Sequence, residues 1–128
     1  SYIAPPFLTQ ATIAEFIERG RFEPNLERVR AELRARRDAM LAALETCLRD
    51  GASWSRPRGG YFVWLDLGDG GNGSALAARA AEDGVGVVRG EDFFPRASGL
   101  GASFARLAFS YETPARITEG VERLASFV

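Results

Sequence analysis

The chain has 128 residues, 46% of them hydrophobic and 26% charged, with a formal net charge of −1. That length suffices for one domain with a real core, and the balanced charge speaks against a dedicated nucleic-acid binder, which would carry a basic excess. No apolar run approaches a membrane span, and residues 1–6 lack the basic segment that opens a signal peptide.

The first predicted helix covers residues 9–18, with Ile13, Phe16 and Ile17 on one face and Gly20 as the stop. Asn25 then reads as the N-cap of a long helix, with Glu27 in its first turn. Apolar residues recur at helical spacing from Leu26 through Val29, Leu33, Met40, Leu41 and Leu44 to Leu48. That is a helix of roughly 24 residues, or about 36 Å. One face is dense in charge, from Glu27 to Asp38, and reads as a solvated face with i,i+4 pairs ahead of an interaction surface. Asp50-Gly51 is the expected stop.

The second half changes to strand patterns. Residues 52–56 are a short strand candidate and 57–60, "PRGG", a turn. "YFVWLDL", residues 61–67, is a strong strand, rich in aromatic and branched residues. After the glycine-rich loop 68–73, Ser74 is expected to cap a helix that runs to residue 83 and closes at Gly84. Residues 85–88 form a third strand candidate, and 91–95 lead into a Gly/Ser loop, residues 97–103. "FARLAFSY", residues 104–111, is the fourth strand. Thr113-Pro114 opens the last helix, with Ile117, Val121, Leu124 and Phe127 as its apolar stripe. The expected fold is α/β (α+β): a two-layer sandwich whose small, mostly antiparallel sheet of three to four strands is packed by helices and preceded by a long helix.

The side chains that are missing limit the chemistry. The chain has no histidine, and all 16 basic residues are arginines. That excludes Ser-His-Asp and Cys-His machinery, imidazole metal sites and any lysine Schiff base within the chain. The single cysteine, Cys47, can form no internal disulfide, so a reducing, cytoplasmic setting is the simpler expectation. Lying beside Leu44 and Leu48, it reads as a buried, unreactive thiol. The loop "GDGGNGS", residues 68–74, precedes a helix, but it matches no phosphate-binding spacing and has no lysine; a flexible connection is the expectation. The turn "RPRGG", residues 56–60, is either a plain hairpin turn or a place where backbone approaches another chain or ligand. With no initiator methionine and few catalytic side chains, the chain is expected to be a piece of something larger.

Arg106 is the sharpest feature. In a strand, Phe104, Arg106, Ala108 and Ser110 share one face, while Ala105, Leu107, Phe109 and Tyr111 share the apolar one. Arg106 therefore points away from the core, toward the small residues Ala108 and Ser110. Taken alone, the pattern leaves open an exposed arginine, a structural ion pair or a rigid fork for a carboxylate or phosphate, and the first two are the simpler.

Four segments in order carry a resemblance: "LTQATIAEFIERGRFEPNLERVRAELRARRDAMLAAL" (8–44), "PRGGYFVWLDL" (57–67), "GVGVVRGEDFF" (84–94) and "RLAFSYETPARITEGVERLA" (106–125). Together they resemble the C-terminal small domain of class I/II aminotransferases, the fold-type I pyridoxal-phosphate enzymes. The nearest branch contains 2-aminoadipate and kynurenine aminotransferases and the aminotransferase-like domains of GntR/MocR-type regulators. The resemblance implies that Arg106 binds the substrate α-carboxylate and that Gly59 and Gly60, with Tyr61 in the variable position, border the substrate entrance. Where the family usually has a proline before the glycine of the third segment, this chain has Arg89.

The resemblance also implies what lies elsewhere. Residues 1–24 would be the linker and first helix from a large domain, and 25–128 the small domain. Pyridoxal 5'-phosphate and its lysine would belong to that large domain. This chain would hold no catalytic, cofactor-binding or metal-ligating residue and be inactive alone. The intact protein would act on an α-amino acid and a 2-oxo acid, usually as a homodimer; the other reading is an effector-binding domain of a regulator, with nucleic acid as a partner only if a winged-helix domain lies upstream. About 250–300 further residues would be expected upstream.

Overall fold

The computed structural model describes residues 6–48, 51–95 and 98–128. The chain divides into two compact units, residues 1–32 and 33–128, each described by itself. In the first, helix α1 (Phe7–Glu18) buries none of its residues, and Phe7, Leu8, Ile13 and Ile17 are exposed. Gly20 ends this helix at φ 65, its N–H donating to Ile17 O. Helix α2 (Phe22–Cys47) begins earlier than the capping pattern implies. Pro24 falls in its first turn, where a missing N–H leaves no partner wanting. Asn25 is inside the helix, its N–H bonded to Arg21 O at 3.2 Å and its side chain accepting from Arg28. The expected stop at Asp50-Gly51 and the expected loop 97–103 fall partly outside the described residues.

The second unit holds the sheet. Strands β1 (Ser53–Trp54), β2 (Phe62–Asp66), β3 (Val88–Arg89) and β4 (Phe104–Ala108) lie in the order β1-β2-β4-β3, with every pair antiparallel. Val63, Leu65, Ala105, Leu107 and the following Phe109 are buried on one face. Against them pack Met40, Ala43 and Leu44 of α2, Leu76 and Ala80 of α3 (Gly73–Glu82), and Ile117, Val121 and Leu124 of α4 (Pro114–Ala125). Each large side chain so buried contributes about 1.5–3 kcal/mol. α4 starts as expected, with Thr113 Oγ1 accepting from Arg116 N–H and Pro114 in the first turn. Phe127 lies past its end, half-buried against the core.

Four local expectations are corrected. The cap of α3 is Asn72, extended at φ −131, whose Oδ1 accepts from Ala75 N–H at 2.8 Å. Ser74 lies inside that helix and donates to Glu91 Oε2 at 2.9 Å. The loop before α3 is a packed turn and not a flexible connection: a Cβ on Gly73 would stand 1.9 Å from Phe104 O, and one on Gly68 2.3 Å from Gly51 O. Tyr111 does not join the core face, because β4 ends at Ala108, and it is 88% exposed. Nor is the charged face of α2 wholly solvated. Arg28 pairs with Glu32 as expected, but Arg36 reaches Ser110 O at 2.8 Å and Arg37 reaches Pro57 O at 3.5 Å.

Candidate functional site

The register puts Arg106, at the middle of β4, opposite Trp64 of β2 and Val88 of β3. Pleating sends Phe62, Trp64 and Asp66 to the same side, away from the helices. The surroundings are aromatic, not the small residues expected. The Arg106 guanidinium carbon lies 4.0 Å from the centroid of the Phe62 ring and 4.6 Å from that of Phe93. Phe93 ends the 3-10 turn Gly90–Phe93 that follows β3, and Trp64 meets it edge-on at 5.4 Å while stacking on Phe104 at 5.5 Å.

Arg106 has no acidic partner among the described residues. The nearest acid by register, Asp66, accepts from Ser103 Oγ at 2.9 Å and from Gly68 N–H at 3.1 Å through the same oxygen. Arg106 Nε is buried with no hydrogen-bond partner, whereas its terminal nitrogens, which bond to none of the described residues, stay accessible. A buried, unmade hydrogen bond costs about 1–3 kcal/mol, so this arginine is held at some expense to stability. Other arginines are matched: Arg19, Arg28, Arg37, Arg56, Arg89, Arg116 and Arg123 each face a carboxylate.

No protein-family model matches the chain. It is 39% identical over 119 residues to the 2-aminoadipate transaminase of Thermus thermophilus, covering 93% of this chain and 29% of that enzyme. It is 32% identical over 124 residues to the HTH-type transcriptional regulator TauR of Rhodobacter capsulatus, covering 94% of this chain and 25% of the regulator. The crystal structure of LysN, the α-aminoadipate aminotransferase of Thermus thermophilus complexed with N-(5'-phosphopyridoxyl)-L-leucine, superposes with a TM-score of 0.84 at 38% identity, covering 94% of this chain and 30% of that one. Over nearly its whole length the chain is similar to aminotransferases and to an HTH-type regulator. It spans less than a third of the length of these relatives, consistent with a C-terminal fragment.

The other positions singled out from the sequence lie in and just after the turn that precedes β2. Gly59 and Gly60 are exposed in the turn before β2. Gly60 takes φ +77, which explains its lack of a side chain, since a Cβ at either glycine would meet nothing. Tyr61 shares strand parity with Val63 and Leu65, and its ring meets Phe62 edge-on at 6.3 Å. The residue stacked on Arg106 is its neighbour, Phe62, which sequence reasoning passed over; Phe93 belongs to the segment, Gly90 to Phe94, that the resemblance brings near the active site. Alternation placed Phe62 off the core face, but only the strand register brings it diagonally beside Arg106.

Arg89 keeps the backbone a proline would impose, with φ −62 and ψ 142. Its guanidinium bonds Asp92 at 2.9 Å, within the turn that carries Phe93. That turn sits tightly, since a Cβ on Gly90 would stand 2.5 Å from Phe104 Cβ and 2.6 Å from Gly101 O. Cys47 is half-buried against the core. Among the described residues no cluster of His, Cys, Asp and Glu could hold a metal, and no helix is long and apolar enough to cross a membrane. A cavity of about 400 Å³, floored by Val85, Val87, Ile117 and Val121, includes neither Arg106 nor residues 59–61 in its lining.

Proposed function

We propose that Arg106 receives the α-carboxylate of an amino-acid or 2-oxo-acid substrate in an intact pyridoxal-phosphate-dependent aminotransferase, with Gly59, Gly60 and Tyr61 at the substrate entrance. The observation that carries this reading is the half-buried, unpartnered guanidinium on the sheet face the helices leave open. A planar fork matches a carboxylate bidentately and so fixes both its position and its rotation. Fixing the carboxylate orients the rest of the substrate, which converts binding into reactive geometry. A strand mount keeps that orientation precise.

Residues of this chain do not fit the cofactor. There is no lysine to bond it, and the loop before α3 has no free cradle of N–H groups: those of Gly68, Gly71, Gly73 and Ala75 already donate to Asp66, Gly68, Ala102 and Asn72. In this reading the large domain holds pyridoxal phosphate, which supplies the electron sink. Residues 1–24 connect to that domain, and the intact protein is a homodimer.

The test is Arg106→Ala in the intact protein. Two charge-assisted hydrogen bonds at about 1.5–3 kcal/mol each set the expected loss of kcat/KM at roughly 10²–10⁴-fold, with cofactor absorbance retained. Lost cofactor absorbance with unchanged substrate affinity would count against the assignment. The similarity to TauR favours a second reading, an effector-binding domain of a GntR/MocR-type regulator. There Arg106→Ala would abolish the effect of an amino acid on DNA binding, and no turnover would be measurable.

A further inference from the structure

We infer that Phe62 and Phe93 are positioning residues that hold the Arg106 guanidinium ready for a carboxylate while leaving its hydrogen-bonding edge free. This rests on the reading that Arg106 receives a carboxylate. An arginine on an open sheet face has a long side chain with several rotatable bonds, and ordering such a side chain on binding costs free energy. One way to order it beforehand is an acidic neighbour, as Arg89 has in Asp92 and Arg116 has in Glu112. An acid, however, occupies the same N–H edge that the substrate needs and neutralises the charge. An aromatic ring attracts the cation through its face and leaves the edge vacant.

Arg106 has the second arrangement. Phe62 comes from β2 on one side of β4, and Phe93 comes from the turn after β3 on the other, at 4.0 and 4.6 Å from the guanidinium carbon. The terminal nitrogens remain accessible and unbonded while Nε is covered, so the fork is offered end-on. Both rings are braced. Tyr61 meets Phe62 edge-on, Trp64 meets Phe93 edge-on, and the turn bearing Phe93 is pressed onto β4 at Gly90 and tied by Arg89–Asp92. Phe62 and Phe93 are 41% and 45% exposed, more than their contribution to the domain core would call for.

The experiment uses the intact protein loaded with pyridoxal phosphate and reads the Kd of an amino acid from the change in cofactor absorbance. Phe62→Ala and Phe93→Ala are each expected to raise that Kd by about threefold to thirtyfold. Phe93→Tyr, which keeps a ring, should recover most of the loss; Phe93→Leu, which keeps apolar bulk without a π face, should not. In an Arg106→Ala background the phenylalanine substitutions should have no further effect. Two results overturn the inference: Phe93→Leu binding as well as the parent, or the same fold-loss with and without Arg106. If Arg106→Ala itself leaves Kd unchanged, the carboxylate reading falls with it. A full Arg106 effect alongside silent Phe62 and Phe93 variants removes the aromatic clamp alone. Phe93→Leu and Phe93→Tyr conserve volume, so the comparison stands even where alanine unfolds the turn.

Discussion

The two faces of one sheet are built from the same strands, a residue apart, and they do opposite things. On one, Val63, Leu65, Ala105, Leu107 and Phe109 are buried under three helices. On the other, Phe62 and Phe93 flank a cation whose Nε is buried and unbonded, with Trp64 packed on Phe93 and Phe104. The first face gains stability from every contact it makes. The second retains a group whose unmade hydrogen bond lowers stability. Large aromatic residues occur on both, so hydrophobicity alone does not tell them apart; a guanidinium without an acidic partner does.

Substitutions can break or sharpen that contrast. Leu65→Ala, on the closed face, should lower unfolding free energy by about 2–5 kcal/mol in a urea titration. A loss below about 1 kcal/mol would mean the face is not the core. Gly73→Ala places a methyl group against Phe104 O, where only 1.9 Å is available, and should cost about 1–3 kcal/mol by the same measurement. Arg106→Ala, on the open face, should shift stability by no more than about 1 kcal/mol, because it removes an unbonded buried N–H. A large destabilisation would recast Arg106 as a structural residue. The smallest effect is expected at the sheet edge: Arg89→Pro should change stability by less than about 1 kcal/mol, since its φ already suits the ring.

Much of this was legible beforehand because it depends on local chemistry. The apolar alternation in "FARLAFSY" assigns Ala105, Leu107 and Phe109 to the core, and Thr113-Pro114 opens α4 as read. What was not legible depends on distant partners. Asn25 was displaced as a cap because the helix starts at Phe22, about one turn earlier, with Pro24 tolerated in its first turn, and Ser74 because Asn72 caps the helix two residues earlier through the Ala75 amide. The glycines of the loop before α3 looked like flexibility, yet two of them are required by a carbonyl across the fold. The aromatic neighbours of Arg106 come from β2 and from the turn after β3, and no spacing within β4 announces them.

Arg89 gives the turn beneath Phe93 a property that a proline would not. A ring fixes φ at any ionic strength. The Arg89–Asp92 pair is about half exposed on both sides, and its attraction is screened over about 10 Å at 0.1 M salt and about 3 Å at 1 M. The brace behind Phe93 therefore answers to salt, so the concentration of simple ions becomes a variable in how firmly Arg106 is aimed.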